Sequence, residues 1–139
     1  MTPEQVDLVE SSVAALGGRL DDVAVAFYAR LFAVAPETRS LFGGDPARQR
    51  AKFVSELAFL ATVVRQHDRF ITTADDLGRR HGAVGVRPEH FRPAGEALLE
   101  AMAETLGSAW TPALELAWRL AYRLTAEAMM AGAARPAHH

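Results

Sequence analysis

Residues 88–106 read PEHFRPAGEALLEAMAETL, and residues 112–130 read PALELAWRLAYRLTAEAMM. Each stretch opens on a proline, whose fixed φ and missing N–H suit the first turn of a helix. In the first, Phe91, Ala94, Leu98, Leu99, Met102 and Leu106 recur at the spacing of one helical face. In the second, Leu114, Ala117, Trp118, Ala121, Leu124 and Ala128 do the same, and the helix is expected to end near Met130. Two long helices joined by a short connection predict an antiparallel pair.

Working back towards the start, the chain keeps reading as helix. Thr2-Pro3-Glu4-Gln5 has the order of an N-cap, a proline at the first helical position and a polar first turn. Val6, Val9, Val13 and Leu16 then share a face, and Gly17-Gly18 closes the helix. Leu20, Val23, Phe27 and Leu31 mark a second helix ending near Val34. Pro36-Glu37 opens a short helical turn that ends at Leu41-Phe42. Gly43-Gly44-Asp45-Pro46 is a break followed by a cap. Gln49, Phe53, Leu57, Leu60 and Val64 follow at helical spacing. A further segment starts at Thr73 and leads to His81, its end weakened by Gly82 and Gly85. No alternating strand pattern, internal repeat or linker interrupts this order. The early segments share neither length nor heptad seam, so a regular four-helix bundle fits less well than helices packed pairwise around a pocket.

Composition bounds the function. A chain of 139 residues is one domain with room for a sizeable core. A net charge of −2 gives no reason to expect nucleic acid or an anionic membrane as partner. The lack of cysteine excludes disulfides, thiolate metal sites and a thiolate axial ligand. The longest strongly apolar run, residues 57–64, is far too short to cross a bilayer. With no basic and apolar leader at the start, a cytoplasmic location is the default expectation.

Several landmarks fall in a telling order: Phe27-Tyr28-Ala29-Arg30-Leu31-Phe32, Pro36-Glu37, Leu41-Phe42, Gln49 to Phe53, His81, Val86 to Phe91, Gly95 to Leu99, and Ala117-Trp118 to Tyr122. Together they resemble bacterial globins of the flavohaemoglobin and single-domain haemoglobin type, over about residues 1–132. No reductase region follows within these residues, so the resemblance is to the haem domain alone. Residues 133–139 are expected to be a disordered tail.

The resemblance implies an all-α globin fold, three helices over three around haem b. It places the proximal iron ligand at His81, and not at His67 in a polar connecting segment, at His90 in an exposed first turn, or at His138 or His139. It places Tyr28 and Gln49 at the two distal polar positions, where a hydroxyl and an amide can donate to dioxygen. Read alone, Tyr28 is equally a core aromatic and Gln49 a solvated residue between Arg48 and Arg50. Phe53 is the apolar distal wall and Phe42 the ring packed on the porphyrin. Leu77, Val86 and Phe91 are further expected haem contacts. Lys52 and Arg80 are candidate partners for the haem propionates. Arg48, Arg50 and Arg79 flank the same region, and any one of these cations is as readily a solvated surface charge.

The departures carry information too. In flavohaemoglobins a tyrosine and a glutamate make the proximal histidine more electron-donating. Their positions fall here at Phe91 and about Ala133, neither of which has a polar side chain. His81 is therefore expected to donate to a backbone carbonyl one turn earlier, around Leu77. That arrangement weakens the push used in oxygen–oxygen cleavage and leaves reversible gas binding intact. The expected function is binding of dioxygen, carbon monoxide and nitric oxide, with oxidation of nitric oxide to nitrate if a separate reductase supplies electrons. The alternative is a gas sensor or gas buffer without catalysis that acts through a partner protein. Either a monomer or a homodimer fits.

Overall fold

The computed structural model describes residues 1–134. Six helices carry the fold: α1 (Pro3–Leu16), α2 (Leu20–Val34), α3 (Pro46–Val63), α4 (His67–Ala83), α5 (Phe91–Leu106) and α6 (Pro112–Ala134). Tight 3-10 turns at Gly17–Arg19, Pro36–Leu41, Pro88–His90 and Gly107–Ala109 join them. Among the described residues there is no strand, and no helix is long and apolar enough to cross a membrane.

Local chemistry explains the helix ends. The Thr2 hydroxyl accepts from the Gln5 amide, and the Gln5 side chain accepts from the Thr2 amide. This reciprocal box satisfies two donors the first turn would leave open, an effect of about 1 kcal/mol. Asp45 caps α3 through the Ala47 amide ahead of Pro46. Gly17 and Gly107 end α1 and α5 at φ of 50° and 57°, a region costly for residues with a Cβ.

The helices pack as two layers. α1, α3 and α4 touch in sequence on one side, and α2, α5 and α6 on the other. α4 crosses α6, α1 crosses α6, and α2 crosses α3 to hold the layers together. The main core lies where α1, α2, α5 and α6 meet, around Leu16, Val23, Met102, Ala117 and Trp118. Trp118 donates its indole N–H to the Ser12 hydroxyl at 2.9 Å, and Ser12 in turn donates to the Val9 carbonyl. That chain explains why Ser12 is buried and Val13 only half-buried, against the face expected from apolar spacing.

The α4–α6 crossing is unusually close. A methyl added at Gly78 would strike the Met129 backbone, and one added at Gly132 would strike that of Asp75. Only hydrogen at these two positions lets the helices meet backbone to backbone.

Two boundaries and one helix face differ from the expectation. α4 begins at His67, a turn and more before Thr73, because Phe70, Ala74 and Leu77 form a buried stripe the polar composition hides. α6 runs on to Ala134, and Gly132 is buried within it. Its cavity-facing stripe passes through Thr125 and Met129; Ala128 packs as expected against the buried Ala74, Leu77 and Met129, while Leu124 is half-buried and lines no part of the cavity. Thr125 can face inward because its hydroxyl donates to the Ala121 carbonyl. The rest of the expected tail lies outside the described residues.

Candidate functional site

A cavity of about 390 Å³ opens between the layers, and its walls are mostly apolar. The distal wall comes from α2, α3 and the Pro36–Leu41 turn; the proximal wall comes from α4, α5 and α6. Every site residue singled out in the sequence lines this one cavity. Tyr28, Phe42, Gln49, Lys52 and Phe53 stand on the distal side, and Leu77, Arg80, His81, Val86 and Phe91 on the proximal side.

The distal wall is an aromatic cluster with Tyr28 at its centre. Its ring meets Phe27 at 5.1 Å, Phe42 at 5.2 Å and Phe53 at 5.8 Å between centroids, each edge-on. Such packing fixes the phenol with few free rotamers. Among the described residues no partner takes up the Tyr28 hydroxyl. Burial, and secondly the negative field of Glu56, push its ionisation up to about 12. Tyr28 is thus a hydrogen-bond donor throughout the physiological range. Gln49 shares the α3 face with Phe53 one turn later, and its amide is likewise without a partner among the described residues.

The proximal wall is the reverse. His81 Nδ1 lies 2.8 Å from the Leu77 carbonyl. A carbonyl can only accept, so Nδ1 carries the proton and Nε2 keeps its lone pair. Tyr122 donates its hydroxyl to the Phe91 carbonyl, and burial raises its ionisation well above the ordinary tyrosine value. His90 is half-buried at the cavity, not exposed as the sequence suggested, and its Nδ1 accepts from the Arg87 amide. Its capping role in the Pro88–His90 turn holds it there. His67 is exposed at the start of α4. Ala133 packs against Gly82 at the α4–α6 crossing, away from the cavity lining.

The cations divide. Arg79 pairs with Asp75 and Asp76, and Arg50 with Asp21. Arg80 reaches across to Glu56 and back to Asp76. Lys52 is exposed at the cavity and makes no ion pair among the described residues. Among the cavity residues that the sequence reading did not assign to a site are Glu56, Tyr122 and His90. Spacing could have found two of them, since Glu56 follows Gln49 by two turns and Tyr122 follows Trp118 by one.

The family model described as Globin matches residues 25–129. The chain belongs to the globin family. The flavohaemoprotein of Deinococcus radiodurans is 33% identical over 94% of this globin and 33% of the relative's own length. That of Bacillus subtilis is 28% identical over 90% of this globin and 32% of the relative. The globin therefore spans about a third of the length of these curated relatives. Among solved structures, an engineered carbene transferase derived from a protein described as a nitric oxide dioxygenase of Rhodothermus marinus superposes with a TM-score of 0.86. That pair shares 30% identity over 96% of this globin and 94% of the other chain.

The residues of this globin fit a haem. Among the described residues no three His, Asp or Glu side chains gather to hold a bare metal ion. A metal seated here must bring most of its own ligands, as a porphyrin iron does. The mostly apolar walls suit a flat macrocycle, Lys52 at the rim suits a propionate, and the Nε2 lone pair of His81 suits one axial position.

Proposed function

We propose that this globin holds haem b through His81 Nε2 and binds dioxygen, carbon monoxide and nitric oxide on the Tyr28 side of the cavity. The observation that carries the reading is the contrast across one cavity. One nitrogen of His81 is committed to Leu77 and the other is left basic, while the Tyr28 hydroxyl and Gln49 amide opposite it are uncommitted. Haem supplies the iron that takes up a diatomic gas and moves electron density onto dioxygen. Tyr28 and Gln49 then donate hydrogen bonds to a ligand that gathers negative charge, and the aromatic cluster around Tyr28 excludes water from those bonds. Lys52 would hold a propionate at the rim, and Phe42, Phe53, Leu77, Val86 and Phe91 would pack on the macrocycle, since all six line the cavity. Arg80 reaches a second propionate only by leaving Glu56.

Its reaction is oxidation of nitric oxide to nitrate. One nitric oxide, one dioxygen and one electron give one nitrate, so each turnover draws an electron from a separate reductase. The second reading, gas buffering or sensing through a partner without catalysis, is favoured by the neutral Leu77 carbonyl as the acceptor behind His81.

Absorption spectra of the haem-supplemented protein in ferric, ferrous and carbon-monoxide-bound forms test the cofactor. Distinct Soret bands in the three forms are expected, and no Soret band would overturn the whole reading. Nitric oxide consumption with a supplied reductase then separates the two functions. Many turnovers per protein support the dioxygenase, and a single stoichiometric burst supports the buffer.

A further inference from the structure

Glu56 is the one acidic side chain lining the cavity among the described residues. It lies on α3 on the same face as Gln49 and Phe53. Its carboxylate Oε1 is 3.3 Å from Arg80 Nη1, with the Glu56 side chain 29% exposed. Arg80 directly precedes His81 on α4, so this ion pair ties α3 to α4 beside His81. The Arg80 Nε also holds Asp76 at 3.2 Å. Asp76 also meets Arg79, and Lys52 lines the same cavity one turn before Glu56, so Glu56 is the single carboxylate set against the cations Lys52 and Arg80.

We propose that Glu56 sets the ligand selectivity of this cavity, its carboxylate offsetting the lining cations Lys52 and Arg80 and so disfavouring anionic and charge-gathering ligands relative to neutral ones. The inference rests on the haem reading above. Its physical basis is that a partly buried charge such as Glu56 is screened less than one in open solvent. Dioxygen on ferrous haem gathers negative charge and carbon monoxide does not. Azide brings a full negative charge to ferric haem, and imidazole brings none. The Glu56 charge acts on Tyr28 as well, where it adds to the burial that keeps the phenol protonated. Arg80 moderates the field and Asp76 draws part of Arg80 away.

The test uses the haem-loaded protein and its Glu56→Gln variant, which removes the charge at nearly constant shape. Azide and imidazole are titrated into the ferric form, and dioxygen and carbon monoxide into the ferrous form. Glu56→Gln should tighten azide and dioxygen by about threefold to tenfold and leave imidazole and carbon monoxide within about twofold. Asp76→Asn, at an exposed position on α4, frees Arg80 for Glu56 and should shift azide in the same direction by less. Equal shifts for azide and imidazole would mean that Glu56 acts through shape, and would overturn the proposal. Unchanged azide binding in Glu56→Gln would overturn it as well, while a normal Soret band in that variant would leave the haem reading standing.

Discussion

The two walls of the cavity are built from similar materials and treat their polar groups in opposite ways. On the proximal wall, His81 Nδ1, the Tyr122 hydroxyl and the Thr125 hydroxyl are all spent on backbone carbonyls. On the distal wall, the Tyr28 hydroxyl and Gln49 amide have no protein partner among the described residues. Both residues are half-buried, so these donors open on the cavity and are free to meet whatever occupies it. The proximal wall fixes one nitrogen in place and the distal wall waits for a guest. The function proposed above follows this asymmetry, with anchoring of the cofactor on one side and the choice of gas on the other.

The largest test of that division is His81→Ala. Removing the imidazole should abolish normal haem retention, or leave a haem whose axial position added imidazole refills, read from the Soret band. An unchanged ferrous–carbon monoxide spectrum in His81→Ala, together with its loss in His90→Ala, would place the anchor on the wrong histidine.

Tyr28→Phe comes next. It removes a hydroxyl and leaves the edge-on ring contacts with Phe27, Phe42 and Phe53 in place, so the fold should survive. Loss of a hydrogen bond to a partly charged ligand should cost about 1.5–3 kcal/mol. That is about tenfold to a hundredfold in dioxygen affinity, read mainly as faster dissociation in stopped flow. Carbon monoxide should change far less. An equal loss for both gases would point to misfolding of the aromatic cluster instead of a missing donor.

Tyr122→Phe should behave as its mirror image. Its hydroxyl serves the Phe91 carbonyl, so the cost should be about 1 kcal/mol of folding stability in urea unfolding. Gas affinities should stay within about twofold. A large change in dioxygen dissociation would show that the proximal phenol reports to the ligand, and the division between the walls would fail.

The smallest effect is expected from Phe91→Tyr. With the Leu77 carbonyl as the acceptor behind His81, the iron–histidine stretch in resonance Raman should be that of a neutral imidazole. Adding a phenol at Phe91 without a carboxylate partner should barely move it. Ala133, where the glutamate position of flavohaemoglobins falls, faces Gly82 and not the cavity. A peroxidase-like high frequency in either protein would contradict the committed state of the proximal wall.

Much of this was legible in the sequence, and the failures share a cause. The stripe Leu20, Val23, Phe27 and Leu31 reads as a helix face because each member is apolar and buried. Gln49, Phe53 and Leu57 read as one face because their spacing survives even though each is only half-buried against a cavity. Apolar spacing failed wherever a polar residue is buried with its hydrogen bond satisfied locally. Ser12 and Thr125 both look like surface positions, and both donate to a carbonyl of their own helix and turn inward. The start of α4 was hidden by the same bias, since His67, Asp68 and Arg69 precede the buried Phe70. Glu56 was passed over because an acidic residue on an apolar wall runs against expectation. Its partner comes from α4, and only the fold brings Arg80 to it.

The glycine contact between α4 and α6 has a mechanical consequence. Gly78 and Gly132 leave no side-chain layer between the two backbones, and such a layer is what lets packed helices slide in small steps. His81 rides on a rigid pair, not on a single helix. A pull on its imidazole along the cavity axis must move α4 and α6 as one lever or move neither. Any displacement that does occur passes from α4 to α6 directly through the Gly78–Met129 and Asp75–Gly132 backbone contacts.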